Sequence, residues 1–159
     1  MATVDIDARI ELGGSDDIDS VMVVMEAAFG QRFGEAWTRS QLAGILPMGG
    51  VALTLARESG SGETIGFSLV RSVADEAELL LLGVAPDCHR RGIGRRLLRE
   101  FLDCARTERL TRVHLEVRDG NPAIGMYENA GFAAVGRRRN YYRAPDGRRF
   151  DAITLALQL

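Results

Sequence analysis

Residues 79–98 constrain this chain more than any other stretch. An apolar run, Leu79-Leu80-Leu81-Leu82-Gly83-Val84, gives way to Ala85-Pro86-Asp87. Then comes Cys88-His89-Arg90-Arg91-Gly92-Ile93-Gly94-Arg95-Arg96-Leu97-Leu98. The run is apolar on both faces, as in a strand at the centre of a sheet. Beyond it, Ile93, Leu97, Leu98, Phe101, Leu102 and Ala105 recur at helical spacing, with Arg95, Arg96, Arg99 and Asp103 on the opposite side. Strand, glycine-bearing turn and amphipathic helix thus follow one another directly. Such a junction presents free backbone N–H groups at a helix N-terminus, where a pyrophosphate can sit. Standing alone, the same run also reads as a solvated basic helix start. The strand before it and a matching pattern downstream favour the anion site.

The flanking segments supply the rest of the architecture. Val4, Ile6, Ala8 and Ile10 alternate with polar residues as in a half-buried strand. Ser15 reads as a helix cap, with Ile18, Val21, Met22, Met25 and Phe29 on one face of the helix it starts. A second helix opens at Thr38, with Gln41 as its capping-box partner, and ends by Pro47 and Gly49-Gly50. Residues 51–57, 64–73 and 76–84 read as a three-strand meander. Strand 112–117 places Val113, Leu115 and Val117 on one face and His114 and Glu116 on the other. Asn121-Pro122 opens a short helix that Gly131 closes. Residues 132–142 and 149–158 form a last hairpin around Pro145-Asp146-Gly147.

The whole chain, 1–159, reads as a single domain, with 46% apolar and 26% charged residues and a formal charge of −2. That total gives no basic field for nucleic acid, although arginines cluster at 90–99 and 137–149. Cys88 and Cys104 lack the spacing of a metal site or disulfide framework, so free thiols in a reducing cytoplasm are expected. The first residues carry no apolar signal core, and no run is long enough to span a bilayer. The expected location is the cytoplasm, without membrane contact and without a metal.

The loop His-Arg-Arg-Gly-Ile-Gly-Arg, 89–95, resembles the acyl-CoA pyrophosphate loop of the GCN5-related N-acetyltransferases (GNAT). Leu115-Glu116-Val117-Arg118, followed by Asn121, Tyr127-Glu128 and Gly131-Phe132, is similar to that family's second cofactor motif. The tail Arg139-Asn140-Tyr141-Tyr142, then Asp146-Gly147-Arg148 and Asp151-Ala152-Ile153, resembles the RimI-type branch, which acetylates the N-terminal alanine of a small-subunit ribosomal protein. The likeness runs over about residues 3–158 and is specific from 76 onward; Trp37-Thr38 fits it earlier. Two positions depart from the pattern. His89 stands where the family carries Gln or Arg, and Asn121 and Tyr127 are one residue closer than in the branch.

The resemblance implies an α/β (α+β) fold: a mixed, largely antiparallel central sheet with a splayed central strand pair and flanking helices. It implies acetyl-CoA as cosubstrate. Leu82-Gly83-Val84 would pair with the pantetheine arm, and a backbone N–H there would polarise the thioester carbonyl. Gly83 permits close approach or a bulge, or is simply a tolerated glycine in a buried strand. His89, Arg90, Arg91, Gly92, Ile93, Gly94 and Arg95 would hold the phosphates. Asn121 would touch the cofactor, cap the helix, or do both.

Acetyl transfer needs a neutral amine. A peptide α-amine, with a reference pKa of about 8, is neutral for about a tenth of the time at pH 7; a lysine, at about 10.4, for less than a thousandth. A positioned base is worth about 10²–10⁴ in rate. By resemblance Glu116 is that base; the plain alternative is a solvent-facing glutamate paired with an arginine. Tyr127 is the matching acid for the leaving thiolate, or else a packing tyrosine. Trp37, Tyr141 and Tyr142 are acceptor-site candidates, with ordinary packing as the alternative. The acceptor implied is the N-terminus of a ribosomal protein. Another amine (a lysine side chain, a polyamine, an aminated small molecule) or a weakly catalytic CoA-binding or docking module remain open. A monomer or weak dimer is expected.

Overall fold

A computed structural model describes residues 7–159; Val4 and Ile6 of the first expected strand lie outside them. The strands are β1 (Ala8–Gly13), β2 (Val51–Glu58), β3 (Thr64–Val73), β4 (Glu76–Val84), β5 (Arg112–Arg118), β6 (Ala133–Arg143) and β7 (Arg149–Gln158). The helices are α1 (Ile18–Phe29), α2 (Arg39–Ile45), α3 (Ile93–Thr107) and α4 (Ile124–Asn129). They build a mixed α/β fold around one seven-stranded sheet in the order β1-β2-β3-β4-β5-β7-β6. Every neighbouring pair is antiparallel except β4–β5, so the apolar run 79–84 lies at the centre, as its pattern requires.

The centre is also where the sheet parts. β4 and β5 pair only from Glu76↔Arg112 to Leu79↔Leu115. At that point β4 carries a bulge: Val70 of β3 faces Leu79 while Leu69 faces Leu81, leaving Leu80 extra. A bulge bends its strand and shifts side chains to the other face. Leu79 accordingly packs with Leu98, Phe101 and Leu115, whereas Leu81 packs with Val24, Met25 and Phe67. The bulge expected at Gly83 therefore lies three residues earlier. Gly83 instead makes room for two aromatic rings: a Cβ there would stand 2.9 Å from the Phe67 ring and 3.2 Å from Phe29.

Helices cover both faces. α1 and α2 bury Val21, Val24, Met25 and Leu42 against β2 and β3. α3 buries Ile93, Leu97, Leu98, Phe101, Leu102 and Ala105, the six positions its periodicity selects. Two helix starts differ from the sequence reading. Asp17, not Ser15, precedes α1: residues 15–17 form a 3-10 turn in which Asp17 Oδ2 accepts the Gly14 N–H at 2.8 Å. α4 begins at Ile124 rather than Pro122, because Asn121 Oδ1 accepts the Ala123 N–H at 2.8 Å and holds a turn there. The Thr38–Gln41 capping box forms as expected, with bonds of 3.2 and 2.8 Å.

Candidate functional site

Where β4 and β5 separate, a cleft of about 840 Å³ opens between them. Its floor includes Leu82, Gly83 and Val84 from β4 and Leu115, Glu116 and Val117 from β5. β4–β5 pairing stops at Leu79, so the facing strand edges are open to the cleft. An extended chain bearing amides, such as a pantetheine arm, fits such an edge.

One end is the turn after β4. A 3-10 turn, Pro86–Cys88, leads to His89, whose Nε2 donates to the Val84 carbonyl at 2.9 Å and ties the turn to the strand. Arg90 and Gly92 both adopt left-handed backbone, at φ 62° and 78°. Gly92 is the cap of α3, so the first-turn N–H groups of α3 point outward. His89, Arg90, Gly92, Ile93, Gly94 and Arg95 line the cleft. A diphosphate suits this combination of helix N-terminus and arginine. Burial pushes the Cys88 thiol up, opposed in part by Arg91, which leaves it poorly suited to nucleophilic work.

The other end gathers groups that lie far apart in sequence. Glu116 is not solvent-facing: its side chain is 9% exposed. It does meet an arginine, Arg138 Nε lying 2.9 Å from Oε1, and the Thr154 hydroxyl donates to Oε2 at 2.7 Å. Thr154 is its cross-strand neighbour on β7, so sheet register sets that bond. Tyr127, on α4, is buried and lines the same cleft as Glu116. Burial first, and then the Glu35 carboxylate, raise its phenol well above the ordinary tyrosine range. Both causes favour the protonated phenol. Tyr142 also lines the cleft, its hydroxyl donating to the Glu116 carbonyl at 3.4 Å.

Asn121 lines the cleft with both ends of its amide engaged: Oδ1 with Ala123 and Nδ2 donating to Glu35 Oε2 at 3.0 Å. Three candidates stand apart from the lining. Arg91 is exposed beside it. Trp37 packs against the core under α1 and α2. Tyr141 is half exposed and stacks edge-on against Tyr142 at 5.0 Å.

Sequence reasoning missed Phe33, Glu35 and Arg118. Glu35 and Arg118 form an ion pair at 3.2 Å with side chains only 11% and 10% exposed. The Arg118 guanidinium also lies 3.6 Å above the Phe33 ring. Alternation gave no sign of this, because Arg118 falls in step with Arg112, His114 and Glu116 on the polar side of β5. Among the described residues, no group of three His, Cys, Asp or Glu side chains is placed to hold a metal ion, and no helix is long and apolar enough to cross a membrane.

Comparison with known proteins agrees with this architecture. The profile of the acetyltransferase (GNAT) family matches residues 21–132. The [Ribosomal protein bS18]-alanine N-acetyltransferase of Escherichia coli K12 is 41% identical over 100 residues, covering 62% of this chain and 67% of that one. The N-alpha-acetyltransferase RimI of Mycobacterium tuberculosis is 46% identical over 99 residues, 59% of each chain. The crystal structure of the Escherichia coli ribosomal-protein-S18-alanine N-acetyltransferase superposes with a TM-score of 0.85 and 30% identity, over 96% of this chain and 94% of that one. On the profile match and the shared fold, this chain belongs to the GNAT family of acetyltransferases and is an N-acetyltransferase whose donor is acetyl-CoA.

Proposed function

We propose that the chain acetylates the N-terminal α-amine of an alanine on a ribosomal protein, with Glu116 as general base and Tyr127 as general acid. The observation that carries this reading is the meeting of Glu116 and Tyr127 in one cleft, beside the open edge of β4. The names of the Escherichia coli and Mycobacterium tuberculosis relatives support the acceptor.

In this reading the β4 edge at Leu82-Gly83-Val84 binds the pantetheine arm, and His89 through Arg95 hold the diphosphate. Asn121 adds a cofactor contact through the turn before α4. The Glu116 carboxylate takes a proton from the incoming ammonium, and the freed amine nitrogen attacks the thioester carbonyl. The new C–N bond forms as the C–S bond breaks. Tyr127 supplies a hydrogen-bonded proton to the departing sulfur, and the second proton shed by the nitrogen as it becomes an amide passes through solvent to restore the phenol. Because the phenol is a weak acid, it gives up its proton only as charge builds on the sulfur. Tyr142, with Tyr141 against it, forms the acceptor-side wall. Arg91 adds positive charge beside the phosphate loop.

The test is acetyl transfer to a peptide copying the alanine-starting terminus of ribosomal protein bS18, set against the same peptide N-terminally blocked and bearing a lysine. The ratio of kcat/KM values should favour the free α-amine by at least about tenfold. Equal or greater transfer to the lysine would reject the α-amine reading.

A further inference from the structure

Glu35 is remote in sequence from both Glu116 and Tyr127, yet it sits at the head of a continuous chain of hydrogen bonds leading to the tyrosine. Its Oε2 accepts from Asn121 Nδ2 at 3.0 Å. Asn121 Oδ1 accepts the Ala123 N–H at 2.8 Å, and the Ala123 carbonyl accepts the Tyr127 N–H at 3.2 Å. The other Glu35 oxygen, Oε1, accepts from Arg118 Nε at 3.2 Å. Arg118 closes the same turn from the other side: its carbonyl accepts the Asn121 N–H at 3.0 Å, and its Nη1 donates to the Asp119 carbonyl at 3.1 Å. Residues 118–127, from the end of β5 to the tyrosine, are thereby clamped to one carboxylate.

That carboxylate is itself fixed. Gly34, immediately before it, has φ 72°, and a Cβ there would come within 2.1 Å of the Arg143 carbonyl. The segment between α1 and α2 is thus pressed against the end of β6 at a point where only glycine fits. Phe33 anchors the other side, edge-on to Phe150 at 5.1 Å and under the Arg118 guanidinium. A buried carboxylate with both oxygens engaged has one orientation, and what hangs from it inherits that orientation.

We infer that Glu35 is a positioning residue: through Asn121 and Arg118 it holds the turn that aims Tyr127 into the cleft. This role rests on Tyr127 acting as the acid. A displacement of about 1 Å at a catalytic group is worth about 100-fold in rate. The clamp also gives the shortened Asn121–Tyr127 spacing a physical setting, because the turn is held from outside rather than by an added helical residue.

The test is a double-mutant cycle on the full chain, measuring kcat with the alanine peptide and acetyl-CoA affinity by calorimetry. Glu35→Ala should lower kcat by about 10–100-fold, while acetyl-CoA affinity, which loses at most the single contact at Asn121, should fall by less than about tenfold. Glu35→Gln, which keeps one acceptor for Asn121 or Arg118, should fall between Ala and the parent. In a Tyr127→Phe background, Glu35→Ala should add less than about threefold, since the group it positions is already gone. A full Glu35→Ala loss on top of Tyr127→Phe would overturn the inference, as would unchanged kcat in both Glu35 variants. Should Glu35→Ala fail to fold, the same cycle with Glu35→Gln decides. Failure of the underlying reading looks different: Tyr127→Phe alone would then retain full kcat.

Discussion

The two ends of the cleft use arginine in opposite ways. Around the start of α3, Arg90, Arg91 and Arg95 are exposed and have no carboxylate within ion-pair distance among the described residues. Around the end of β5, the arginines near the cleft are matched: Arg118 by Glu35, Arg138 by Glu116, Arg137 by Asp119 and Asp151. Unmatched charge beside a helix N-terminus is satisfied by an anion arriving from outside. Matched charge is already satisfied and serves to fix a wall. On the proposed function the first end binds and the second orients, and substitutions at each end should separate the two roles.

The largest effect belongs to the orienting end. Glu116→Gln keeps the shape and the Thr154 contact but removes the proposed base, so kcat for the alanine peptide should fall by about 10²–10⁴. Acetyl-CoA affinity, read by calorimetry, should stay within about threefold, because the phosphate end is untouched. A parallel fall in both would mean that the two ends are not separate.

The next effect contrasts two arginines directly. Arg118→Met strands the buried Glu35 carboxylate and should destabilise the fold by about 3–5 kcal/mol in denaturant melts. Arg95→Met removes an exposed, unmatched charge and should change stability by no more than about 0.5 kcal/mol. Its signature is functional: kcat/KM with acetyl-CoA, relative to that with S-acetylpantetheine, should fall about tenfold, since only the former carries phosphates. A stability loss in Arg95→Met equal to that in Arg118→Met would erase the contrast.

The same contrast explains what the sequence disclosed. The binding end is contiguous: the apolar run, the glycines and the arginines lie within 79–98, and local rules read them in order. The six core positions of α3 and the bounds 64–73, 76–84 and 149–158 emerged from periodicity for the same reason. The orienting end depends on pairs such as Glu35–Asn121 and Glu116–Thr154, separated by 86 and 38 residues and joined only by folding. No local rule pairs them. The Leu80 bulge was hidden because a uniformly apolar run has no alternation for an extra residue to break. Ser15 misled because the Asp17 N–H that it would cap donates instead to the Gly14 carbonyl at 3.0 Å and closes a 3-10 turn first.

The smallest effect probes the outermost matched pair. The Asn140 N–H, and then the Arg137 guanidinium, hold the Asp151 carboxyl below the ordinary carboxylate range. Asn140 has left-handed backbone at φ 54°, so this bond also steadies an irregular point of β6. A carboxyl lowered in the folded state stabilises it above the unfolded value of about 3.9, and that contribution is lost as pH falls through the lower folded value. Asp151→Asn should therefore lower Tm at pH 7 and narrow its gap to the parent at pH 3. Thermal melts at the two pH values check this. Other carboxylates titrate alike in both proteins and cancel in the difference. Arg95→Met, lacking a carboxylate partner, should show a gap that does not narrow with acid. Parallel melts for Asp151→Asn would place Arg137 with the unmatched arginines, and the division between the two ends would then stop at Glu116.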